Sequence, residues 1–212
     1  MNVENDEDAL NDFFDQIDSG DMNEIKRLMK KNPNLTPNTT IDGTPALLHA
    51  IRVCENDYCD DIVSFFLEKN TNPFQTDAEK TTPLMEACSR FLPTIIEKIL
   101  VYYNNGDVRL LAVNNTNENA LSMLLSNKFD ADADTDTDNL KIQQDLVKKL
   151  IEKNNKLIRY DIIDNIIINE QFDILPLIIN NIPEFSSKEY LQMLRILFIM
   201  SGNISNCSLL II

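Results

Sequence analysis

The sequence predicts an all-α chain, a stack of about six helix-turn-helix units joined by short hairpin fingers. Three observations predict it. First, Asp77-Ala-Glu-Lys-Thr-Thr-Pro-Leu-Met-Glu-Ala-Cys leads into Pro93-Thr-Ile-Ile-Glu-Lys-Ile-Leu, and Gly43-Thr-Pro-Ala-Leu-Leu-His-Ala opens a second copy of the pattern. Second, a residue in the middle of a first helix recurs nine positions before the first packing residue of a second helix: Gln16 with Ile25, Ala87 with Ile96, Ile166 with Leu175, Phe198 with Cys207. Third, the exits repeat, as Leu28-Met-Lys-Lys-Asn-Pro, Phe66-Leu-Glu-Lys-Asn-Thr-Asn-Pro and Leu150-Ile-Glu-Lys-Asn-Asn.

An acidic tail, residues 1–8, precedes the first unit at about 9–35, where Gly20 supplies the positive φ of the turn between helices. The second unit, about 43–72, stretches the spacing from Ala50 to Val63 by four residues around Cys54-Glu-Asn-Asp. In the third, about 80–106, Phe91-Leu-Pro stands where the glycine is expected. The fourth, about 117–156, separates Leu124 from Val147 by fourteen extra residues, and loops absorb such additions at small entropic cost. Its insertion, 128–139, carries the run Asp130-Ala-Asp-Ala-Asp-Thr-Asp-Thr-Asp-Asn and is expected to be disordered, since like charges repel and nothing apolar offsets the ordering entropy. The fifth, about 160–183, is almost wholly apolar around Ile162-Ile-Asp-Asn-Ile-Ile-Ile, as a unit sandwiched between neighbours should be. The sixth, about 190–212, places Arg195 at an apolar position and stops at Ile212 without a polar cap; the expectation is a longer native chain or a covered end.

These residues resemble the ankyrin repeat, whose T-P-L-H-x-A opens the first of two short helices and whose L-L-x-x-G-A-x-P closes the second. Asn replaces Gly at the exits, tolerable because Asn is the next-best residue in the left-handed region. The resemblance implies a non-catalytic protein-interaction module whose concave face is built from the fingers and the exposed sides of the first helices. Carried over position by position, the partner-binding residues are Ile41, Asp42, Thr44, Arg52 and Val53 in the second unit. In the third they are Ala78, Glu79, Thr81, Ser89 and Arg90, and in the fourth Asn115, Thr116, Glu118, Ser126 and Asn127. Arg52 and Arg90 are the expected specificity-setting contacts, because a planar guanidinium pairs bidentately while its stem packs on apolar surface; the alternative is that they balance nearby carboxylates. The rival functions are a substrate-recruiting adaptor for a ubiquitin-ligase-type complex, and a structural component that self-associates through its C-terminal end.

Charge narrows the partners. A formal net charge of -15 repels phosphates and anionic lipid, so the expected partner is a protein with a basic surface rather than nucleic acid or membrane. No apolar run reaches the ~18 residues of a membrane span, and no secretory signal opens the chain. Four irregularly spaced cysteines, Cys54, Cys59, Cys88 and Cys207, predict no disulfide framework, and hence a cytoplasmic chain, in the host cytoplasm if viral. Frequent Asn and Ile read as AT-rich coding, as in protists or large DNA viruses.

Few residues offer chemistry. His49 is the only histidine, which excludes a multi-histidine metal site and predicts a structural, hydrogen-bonded role. Cys88 and Cys207 fall at packing positions, while Cys54 and Cys59 flank the turn insertion and are expected nearer the surface. Isolated glycines exclude phosphate-cradling loops. Read from Asp134, the acidic run places Asp134, Asp136, Asp138, Asn139 and Asp145 near the ligand positions of a calcium loop, but lacks its glycine and closing Glu; solvated loop is the stronger reading. No cofactor is expected. Asp107-Val-Arg-Leu-Leu-Ala-Val-Asn is an unusually apolar finger that either buries or protrudes, and Tyr102 and Tyr103 before it read as packing residues with wet hydroxyls.

Overall fold

A computed structural model describes residues 3–53, 58–69, 71–129, 136–159, 162, 163, 166 and 174–181. The protein is mostly helical, and the chain divides into two compact units, Met1–Asn127 and Lys128–Ile212.

In the first unit the helices come in consecutive pairs. α1 (Val3–Ser19) pairs with α2 (Met22–Lys31), α3 (Ala46–Arg52) with α4 (Tyr58–Leu67), and α5 (Pro83–Ser89) with α6 (Pro93–Leu100). α7 (Ala120–Leu125) closes the series. First helices also pack on one another, α1 on α3, α3 on α5 and α5 on α7, while α4 packs on α6. Helices of seven residues are too short to persist alone, so burial holds them. Most of the predicted pairing positions lie at the centre of that burial: Ile25, Val63, Ala87, Ile96 and Leu124 are all fully buried and Ala50 nearly so, whereas Gln16 is half-buried. Phe13, Phe66 and Tyr103 fill the larger gaps, Phe13 and Phe66 with ring centroids 6.2 Å apart.

Local chemistry sets the ends. Thr82 caps α5 by accepting from the Met85 N–H at 3.1 Å, with Pro83 as the first helical residue, so the Thr-Pro-Leu start works as expected. Asn119 and Ser122 cap α7 reciprocally at 2.9 Å. Gly20 (φ 76) and Phe91 (φ 48) occupy the same turn between paired helices. The bonds match: Asp21 N–H to Gln16 O and Gly20 N–H to Ile17 O recur as Leu92 to Ala87 and Phe91 to Cys88, the Schellman pattern that requires a left-handed residue.

Several expectations are corrected. Residues 3–8 are not a tail but the first turns of α1. Asn32 (φ -124) and Asn154 (φ -160) are extended rather than left-handed; their side chains instead accept from Asn34 N–H at 3.2 Å and Lys156 N–H at 3.1 Å, so Asn is used there for a local turn. Cys59 is buried and disulfide-bonded, its partner lying outside the described residues; among those, Cys88 is the free thiol. Cys59 was expected nearer the surface, and its burial corrects that expectation. Among the described residues no helix is long and apolar enough to cross a membrane.

In the second unit, α8 (Asp136–Lys153) buries Leu146, Val147, Leu150 and Ile151, and a 3-10 turn, Asn155–Leu157, follows. A short helix, α9 (Leu175–Asn180), ends the described part. Ile162, Ile163, Ile166, Ile174, Leu175 and Ile178 are all buried, as the apolar fifth unit requires. The Asn155 amide reaches Asn181 O at 3.4 Å. α8 begins within the expected disordered insertion, so Asp136, Asp138, Asn139 and Asp145 lie on a helix, which spreads them around its axis instead of wrapping them about a cation. Asp136 and Asp138, in its first turn, favour the helix start by complementing its N-terminal dipole. Residues 130–135, including Asp134, the 54–57 turn, Cys207 and the whole sixth unit lie outside the described residues.

Candidate functional site

Three fingers precede the first helices of the first unit. β1 (Thr40–Ile41) and β2 (Thr44–Pro45) form the first as an antiparallel hairpin. The Asp77 N–H bonds Thr81 O at 3.3 Å in the second, and the Asn114 N–H bonds Glu118 O at 3.0 Å in the third. Each tip needs a left-handed residue, and Gly43 (φ 78), Lys80 (φ 61) and Asn117 (φ 64) supply it at intervals of 37 residues.

The candidate residues form two rows. One runs along the tips: Asp42, Ala78, Glu79, Asn115 and Thr116 are exposed, with Ile41, Thr44 and Glu118 half-buried. Tip is tied to tip, since the Asn115 N–H bonds Glu79 O at 2.9 Å and the Asn115 amide bonds Ala78 O at 3.3 Å. The other row lies at the ends of the first helices: Arg52 closes α3 and Val53 follows it, Ser89 closes α5 and Arg90 follows it, and Ser126 and Asn127 come directly after α7. It is stitched as well, the Asn127 amide donating to Cys88 O at 2.9 Å. Thr81 departs from the set, because it is buried and has little surface to offer.

Arg52 is committed within the fold. Its Nη2 donates to Asp77 Oδ2 at 2.8 Å and to Glu86 Oε2 at 3.1 Å, and its Nε to Glu86 at 3.3 Å. Asp77 is the anchor: its side chain is 2% exposed, and Oδ1 accepts the Thr81 N–H at 2.8 Å. Burial opposes the arginine's charge, but the hydrogen bonds and attraction from Asp77 and Glu86 outweigh it and raise its pKa. Arg52 therefore braces α3 against the next finger and α5. Sequence reasoning missed Asp77 and Glu86; the available signal was an Asp opening the finger with an Arg one unit before it.

A second clasp stands behind the row. Arg109 Nη2 donates to Asp107 Oδ2 at 2.6 Å while its guanidinium lies 3.7 Å over the Phe74 ring, whose edge-on neighbour is Tyr103. Hydrogen bonding from Arg109 holds the Asp107 carboxyl down to about 2. The apolar finger does both things expected of it: Leu110 buries while Val108 protrudes. Tyr103 is buried and Tyr102 donates its hydroxyl to Leu67 O at 3.1 Å.

Reactive groups are quiet. His49 Nε2 lies 2.6 Å from Asp18 Oδ1 with Phe14 edge-on to its ring, a structural link from α3 to α1. Burial pushes the Cys88 thiol far above its ordinary range, which makes it unreactive. No known protein-family model matches the sequence, and no curated protein matches it.

Proposed function

We propose that this chain is an ankyrin-like stack and a non-catalytic protein-interaction module, binding one protein partner through the row of fingertips and the ends of the first helices. The carrying observation is the regular spacing of that row: exposed, chemically varied side chains recur at intervals of 37 residues on a backbone tied tip to tip. Side-chain bonds between neighbouring pairs have similar separations, 34 residues for Asn38 with Asn72, 34 for Lys98 with Ser64, 35 for Tyr102 with Leu67 and 39 for Asn127 with Cys88. A one-dimensional stack has that signature. A surface fixed in this way loses little entropy on binding, so modest side chains suffice for affinity. With a net charge of -15, the partner presents a basic surface.

The test is affinity capture from lysate with the native chain and a Glu79→Ala/Arg90→Ala/Asn115→Ala variant, read by mass spectrometry after circular dichroism shows both are folded. A protein retained by the native chain and lost by the variant supports the reading. Equal retention by both, or no specific capture, refutes it.

A further inference from the structure

The α1–α2 pair separates its charge. α1 carries Glu4, Asp6, Glu7, Asp8, Asp12, Asp15 and Asp18 and no basic residue, whereas α2 carries Lys26, Arg27, Lys30 and Lys31 with Glu24 alone opposing them. A cleft of about 550 Å³ opens between the two helices, within the range of ligand sites. Asp8, Ala9 and Asp12 line it from α1, and Arg27, Leu28, Lys31 and Asn32 line it from α2 and its end. Among the described residues no ion pair spans the cleft. Arg27 turns its Nε and Nη2 to Glu24 on its own helix and is attracted by Asp12 across the cleft, while Asp12 accepts the Gln16 amide at 3.1 Å.

We propose that this cleft binds an extended peptide segment in which basic and acidic residues alternate. The argument is geometric. Successive side chains of an extended segment point to opposite sides, and those two apart lie about 6.7 Å from each other on one side. Each wall presents two charges four residues apart on a helix, a rise of about 6 Å. A segment lying along the cleft therefore sets two successive basic residues against Asp8 and Asp12, and the two interleaved acidic ones against Arg27 and Lys31. A wholly basic or wholly acidic segment meets like charge on one wall, which selects against both. None of the residues lining the cleft belongs to the fingertip row.

The experiment uses the full chain and two fluorescein-labelled, end-blocked octapeptides of the same composition, alternating Lys-Glu and a block of four Lys followed by four Glu, titrated by fluorescence anisotropy. The alternating peptide is expected to bind at least about fivefold more tightly than the block peptide. Arg27→Gln/Lys31→Gln and Asp8→Asn/Asp12→Asn should each remove that preference. Lys26→Gln, on the same helix but directed at the Phe65 ring, should retain it. Equal binding of the two peptides, a preference that survives both double variants, or no binding at millimolar peptide would overturn the proposal. Circular dichroism on each variant separates lost recognition from lost fold.

Discussion

Replacing Arg52 by Ala tests how the fingers are held. The Asp77 carboxylate, 2% exposed, would keep only the Thr81 N–H as a partner. Breaking a fully buried ion pair costs roughly 3–5 kcal/mol, because the surviving charge is stranded. Arg52, however, is 38% exposed, so water already screens its side of the bridge, and about 2 kcal/mol is the reasoned loss. In a chain of this size that lowers the melting midpoint by about 4–8 °C. Asp77→Asn keeps an acceptor for Thr81 and leaves Glu86 to Arg52, so it should cost about 1 kcal/mol. The double variant should fall short of the sum by about 1 kcal/mol, since both changes remove one bridge. Urea unfolding followed by circular dichroism measures all three. A loss below about 0.5 kcal/mol for Arg52→Ala, or strict additivity, would refute the reasoning. The result also bears on function: partner loss in an Arg52 variant reports a displaced finger as well as a missing contact, which is why the capture experiment leaves Arg52 in place.

Lys80 sits at φ 61 in a fingertip, so Lys80→Gly should stabilise the fold by up to about 1 kcal/mol, read as a raised urea midpoint; destabilisation would show that its side chain matters more than its backbone. Asn119→Ala removes the cap of α7 and should cost about 1 kcal/mol in the same assay, with faster amide exchange in that helix. Asp107, lowered from 3.8 to about 2 by Arg109, adds stability that is complete above pH 4 and lost as the pH falls towards 2; acid titration of Asp107→Asn should lack that component of the transition.

Much of the fold was legible because its determinants are local or periodic. Thr82-Pro83 announces a helix start in any context, and the nine-residue spacing reports which face of each helix must be buried, so Ala87 and Ile96 were identified as core from sequence alone. Gly20 marked the turn between helices, and the same φ reappears at Phe91 because backbone hydrogen bonding demands it whatever residue stands there. The fingertip positions, by contrast, were expected only through the family resemblance, and it is the structure that sets left-handed residues 37 apart at their tips.

What sequence could not supply is which polar groups meet. The sequence left Arg52 as either a partner contact or a balance for nearby carboxylates, and the stack decided it by carrying Asp77 and Glu86 to it, while the Asn residues at the helix exits served their own turns rather than left-handed caps. The Cys59 disulfide, the helical start of α8 inside an acidic run and the split-charge cleft between α1 and α2 were likewise decided in three dimensions. Apolar periodicity and turn chemistry are properties of the chain, so the paired helices of the first unit and their order could be read from sequence. Charge pairing depends on distances of a few ångströms between residues remote in sequence, and only the tertiary structure decides those.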